Sequence, residues 1–134
     1  MRVGLALAVT AVTLAMGGCK DTVTPGDGSS PSNVVFPARD VSYTYQVQPL
    51  FNQACNAGGC HDNGPHQSAL SLTSYGLAVL TVPGVVVPGK PDGSTLVFRI
   101  EGRVGDRMPP GNFPLNQNQI NGIRTWIAEG ARNN

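Results

Sequence analysis

Hydrophobic and polar positions are distributed in blocks along this chain. Residues 3–16, VGLALAVTAVTLAM, form an apolar run unbroken by charge, and residues 20–33, KDTVTPGDGSSPSN, offer almost nothing to bury. Apolar positions then recur at helical spacing. In TYQVQPLFNQAC, Leu50, Phe51 and Ala54 share one face, and Pro49, tolerable only in a first turn, predicts a helix starting near Val47 or Gln48. PLNQNQINGIRTWIAEGARNN carries the clearest helical signal. Asn116 stands at the N-cap with Gln119 three residues on, Ile120, Ile123, Trp126 and Ile127 line one side, and Gly130 is placed to stop the helix. Between these two, SALSLTSYGLAVL and PDGSTLVFRIEG predict shorter helical pieces, the second capped by Asp92 or Ser94, while VPGVVVPGKP predicts an extended loop punctuated by Pro and Gly. The expectation is an all-α domain with long loops, and long loops in a compact domain need something central to pack on.

The N-terminal block reads as a targeting segment. Met1 and Arg2 precede the apolar run, which ends in Gly17-Gly18-Cys19 without a basic stop-transfer cluster and is at the short limit for a membrane span. This ending resembles a bacterial lipoprotein signal, which implies cleavage after residue 18 and a diacylated Cys19 anchored in a membrane. The Ser, Thr, Gly, Pro and Asp that follow read as a flexible tether over residues 19–39, with one folded domain over 40–134 beginning near Phe36 to Asp40.

Composition narrows the partners. The 134 residues carry nine Lys and Arg against eight Asp and Glu, and loss of Arg2 with the signal leaves eight of each. No strong field of either sign points to nucleic acid or anionic lipid. Seventeen glycines and eleven prolines in so short a chain imply many turns and a modest core, which a cofactor or cross-link would supplement.

Chemistry concentrates in NQACNAGGCHDNG, residues 52–64, where Cys55 and Cys60 are followed at once by His61. A zinc site built from Cys55, Cys60, His61 and His66 is disfavoured, because adjacent Cys60 and His61 side chains diverge and the paired spacing of zinc fingers is missing. A small-loop disulfide between Cys55 and Cys60 remains open, with His61 then an ordinary surface residue. In the third reading, the two thiols form thioethers with a haem and His61 is carried to the iron as proximal ligand. Four residues rather than the usual two separate the cysteines, and the Gly58-Gly59 pair can supply the backbone angles for the extra bulge. For the other axial position the chain beyond the signal offers Met108, in RMPPG, and His66; Met108 is favoured because it lies 47 positions beyond His61, enough to reach the opposite face.

YQVQPLFNQACNAGGCHDNG, SALSLTSYG, VVVPGKPDGSTLVFRI and RMPPGNFPLNQNQINGIRTWIAEGA together resemble the small exported planctomycete-type cytochrome c domains, over nearly all of residues 43–131. The resemblance covers the four-residue spacing. It implies a class I-like cytochrome c fold wrapped around one covalent haem c, with Cys55 and Cys60 as attachment points, His61 as proximal and Met108 as distal ligand. Filling both axial positions disfavours catalysis at the iron, so the chain is expected to be an electron carrier and not an enzyme, acting as a monomer with redox partner proteins. The expected location is the bacterial cell envelope, on the periplasmic or extracellular side. The competing function is a haem-free binding or structural lipoprotein held by the Cys55–Cys60 disulfide. Arg99, Arg103 and Arg107, leading into Met108, are expected either to pair with haem propionates, to face an acidic redox partner, or to be an ordinary solvated face.

Overall fold

The computed structural model describes residues 31–56, 59–64, 69–111 and 113–134. The expected signal segment, Cys19 and most of the expected tether therefore lie outside the described residues, as does His66. Among the described residues the regular elements are helices and helical turns with no strand, in keeping with the all-α expectation. No helix there is long and apolar enough to cross a membrane.

Helix α1, Gln48–Ala54, begins where Pro49 requires, and a wide π-type turn over Tyr43–Val47 runs directly into it. Leu50 and Phe51 are buried and Ala54 packs against the same core. The third helix, α3, spans Gln117–Ala128 and opens with the predicted capping box: the Asn116 side chain accepts from the Gln119 N–H while Gln119 reaches back to the Asn116 N–H. Gly130, at φ 98°, turns the chain away just past its end. Ile123, Trp126 and Ile127 form the centre of the core. Trp126 packs beside Tyr43, which in turn meets Tyr75 edge to face with ring centroids 5.2 Å apart.

Between them, α2 spans Thr95–Glu101. Ser94 occupies the N-cap position as expected but does not cap. Its hydroxyl donates to the Lys90 carbonyl and accepts from the Val87 N–H, so it holds the preceding loop instead. At the other end Gly102, at φ 71°, lets its own N–H reach the Arg99 carbonyl and the Arg103 N–H reach the Phe98 carbonyl, a Schellman closure that only a left-handed residue permits. The SALSLTSYGLAVL stretch contributes a single π-type turn, Gly76–Leu80, rather than a longer helical piece.

Packing begins earlier than the boundary expected near Phe36. Residues 32–36 lie along α3 as a strap: Gln119, fully buried, donates to the Ser32 and Val34 carbonyls, and Asn118 pairs with both the N–H and the carbonyl of Phe36. Ser32 also donates to Gln53 on α1, so the strap spans two helices.

Candidate haem-attachment site

The last turn of α1 delivers the first cysteine. The Cys55 and Asn56 N–H groups both bond to the Phe51 carbonyl, at 2.9 and 2.8 Å, and the chain then leaves the helix. The Cys55 carbonyl accepts from the His61 N–H at 3.2 Å, closing the loop that contains both cysteines. Gly59, at φ 77°, supplies a backbone angle within that loop that a side chain would strain; Gly58 lies outside the described residues.

Cys55 and Cys60 are both free thiols. Burial, and secondarily the neighbouring Cys60, push the Cys55 thiol up from its ordinary 9.0 to about 12. Cys55 is therefore a neutral, apolar-packed sulfur at physiological pH.

His61 is gripped from two sides by one short segment. Its carbonyl accepts from the Leu72 N–H at 2.8 Å, and its ring Nδ1 lies 3.1 Å from the Leu70 carbonyl. A carbonyl oxygen can only accept, so Nδ1 is the donor in this contact. It is the kind of contact by which the second ring nitrogen of a metal-binding histidine is held. Farther along, Ser71 and Thr73 both donate to Asn63, tying the stretch after His61 to the same segment.

Met108 comes from a different element. Its N–H bonds to the Arg99 carbonyl at 2.9 Å, Arg107 Nε donates to the Ile100 carbonyl, and Arg99 folds back onto the Val104 and Asp106 carbonyls, so the end of α2 organises the whole loop leading to the thioether. Met108 itself is half-buried. The three arginines thus divide. Arg103 pairs with Asp92 and Glu101 and lies over the Phe98 ring, whereas Arg99 and Arg107 spend donors on backbone carbonyls. Asp92 and Glu101 are shared with Arg124 of α3, giving a closed ring of alternating charge.

Among the described residues no three His, Cys, Asp or Glu side chains converge to hold a metal ion; His66, one of the four candidate zinc ligands, lies outside them. Two clefts, one of about 550 Å³ beside Phe36 and Arg124 and one of about 430 Å³ beside Tyr43 and Tyr75, are lined by none of Cys55, Cys60, His61 or Met108. The sequence reading missed the amides of Gln48, Asn52 and Asn56, which bond to each other and to the Leu72 carbonyl; their four-residue spacing was the available signal. Comparison with family models, curated proteins and solved structures found no match for this chain.

Proposed function

We propose that this protein is a membrane-tethered monohaem c-type cytochrome that carries electrons by outer-sphere transfer. One observation carries the reading: immediately after two free thiols, a histidine has its Nδ1 hydrogen-bonded to the Leu70 carbonyl, the contact by which the imidazole of a metal-binding histidine is oriented. In this reading Cys55 and Cys60 hold the macrocycle through thioethers, His61 is the proximal ligand and Met108 the distal one. Support for Met108 is its anchored backbone at the end of α2. A bound haem supplies a one-electron couple. The chain's own part is to fix both axial donors, leaving no position for peroxide, oxygen or substrate, which restricts the chemistry to electron transfer.

The experiment is an absorption spectrum of protein exported with its signal, followed by acid–acetone extraction. A haem spectrum that stays with the polypeptide is expected, and a colourless protein overturns the reading. In that event the second reading, a Cys55–Cys60 disulfide in a haem-free lipoprotein, takes its place, since both cysteines lie in the loop closed by the His61 N–H bond to the Cys55 carbonyl. The anchor is tested separately. Cys19→Ser should release the domain or leave an uncleaved precursor, because a doubly acylated terminus gives the stable attachment that one chain cannot.

A further inference from the structure

Gln48, Asn52 and Asn56 follow one another at four-residue intervals, so their side chains rise on one face of α1 and its final turn. Gln48 Nε2 and Asn56 Nδ2 both donate to Asn52 Oδ1, at 2.8 and 3.0 Å. The same two groups donate to the Leu72 carbonyl, at 3.0 and 3.2 Å. Tyr43 adds its hydroxyl to Gln48 Oε1. Two amides sharing two acceptors make a closed figure that fixes Leu72 against α1. Leu72 in turn holds the His61 carbonyl through its N–H, and Leu70, two residues earlier, holds the His61 ring.

This arrangement carries a cost. Asn56 Oδ1 is buried with no hydrogen-bond partner among the described residues, and such a group is worth about 1–3 kcal/mol of destabilisation. Turning the amide over would not help, since it would set oxygen against the two acceptors that Nδ2 now serves.

We infer that Gln48, Asn52 and Asn56 are positioning residues for the His61 imidazole, acting through Leu72 to keep the Leu70 carbonyl on Nδ1–H. The inference rests on the reading of His61 as an axial ligand, for which a firm Nδ1–H bond raises the donor strength of Nε2.

Asn52 is exposed, and leucine is the better helix former, so a merely structural role predicts that Asn52→Leu is neutral or stabilising. The test compares Asn52→Leu, which removes the shared acceptor, with Asn52→Asp, which keeps an oxygen for both donors; Asn52→Ala repeats the loss without added bulk. Two quantities are measured on the protein as isolated: solvent exchange of the His61 Nδ1 proton by NMR in the reduced state, and the midpoint potential at an ionic strength that screens the aspartate charge. Exchange should accelerate about tenfold in Asn52→Leu and Asn52→Ala, the worth of roughly one hydrogen bond, and stay near wild type in Asn52→Asp. The potential should rise in the first two, because a weaker imidazole donor stabilises ferric iron less, and return in Asn52→Asp. Unchanged exchange in Asn52→Leu and Asn52→Ala, or exchange as fast in Asn52→Asp as in Asn52→Leu, overturns the inference. A protein isolated without haem would defeat the ligand reading, yet the exchange comparison would still decide whether the amides position the ring.

Discussion

Gly122 is a glycine because the ring of Phe36 occupies the place a side chain there would take. A Cβ built at position 122 overlaps the Cβ, Cγ and Cδ1 atoms of Phe36. Gly122→Ala must therefore displace the strap or shift α3. Overpacking of this kind costs about 1–3 kcal/mol, partly offset by the better helix propensity of alanine, roughly 1 kcal/mol. A thermal midpoint lowered by several degrees is expected in calorimetry. Phe36→Ala alone should also destabilise, and combining it with Gly122→Ala should cost less than the two separately, because the clash is then gone.

The ring formed by Asp92, Arg103, Glu101 and Arg124 joins the loop before α2 to α3, and it makes stability depend on acid. Hydrogen bonds from Arg124, then from Arg103, hold the Asp92 carboxyl below its ordinary 3.8. Because the folded pKa is the lower one, its contribution is present above 3.8 and is lost as pH falls through the folded value. Thermal midpoints measured down the acid range should fall less steeply in Asp92→Asn than in wild type, and added salt should narrow the difference, since Asp92 is exposed. Parallel acid profiles for the two proteins would refute this.

At the alkaline end, burial is the cause. Free Cys55 is raised from 9.0 to about 12, and Tyr43 is raised from 10.0 to about 12 by burial and then by Tyr75. Both folded values exceed the unfolded ones, so the stabilisation is complete below pH 9 and is lost as pH climbs toward 12. Cys55→Ala should remove the earlier part of that alkaline loss and Tyr43→Phe the later part. A thioether at Cys55 abolishes its titration, so haem-loaded protein should behave at high pH like Cys55→Ala in this respect. Urea unfolding across pH 8–11 reads out each case.

On the proposed reading, the ligand opposite His61 decides the functional class, and variants of Met108 and His66 test Met108 in that place. Met108→Ala should lose the near-infrared sulfur-to-iron band of the oxidised protein, turn high-spin and bind carbon monoxide when reduced. Met108→His should remain low-spin at a lower potential, since a thioether favours ferrous iron more than imidazole does. His66→Ala should leave band and spin state unchanged. High-spin iron in His66→Ala instead would assign the second axial position to that histidine.

Local signals in the chain were read correctly where the partner was also local. Asn116 and Gln119 cap α3 within one turn, and Pro49 sets the start of α1 by its own ring. Ser94 stood at the predicted N-cap, yet its hydroxyl serves Val87 and Lys90 in the loop before it, a competition the helix pattern cannot reveal. Gln119 reads as a surface amide by type and is fully buried because its acceptors, Ser32 and Val34, lie more than eighty positions away. The same holds at the site. The order Cys55, Cys60, His61 is visible in the sequence, but the Leu70 carbonyl that meets the His61 Nδ1 belongs to an irregular segment without periodicity. Arg103 illustrates the converse, since its charge was legible and its commitment to Asp92 and Glu101 was not.

The strap also limits where the domain can work. Ser32 is fastened to Gln53, two residues ahead of Cys55, so the chain coming from Cys19 joins the fold next to the attachment loop. Twelve residues, Lys20 to Pro31, separate Cys19 from that point, and even fully drawn out the thirteen steps from Cys19 to Ser32 span no more than about 47 Å. If Cys19 is the anchor and the attachment loop holds the proposed haem, the leash is rooted beside that haem, and any electron donor or acceptor must present itself within that radius of the bilayer surface.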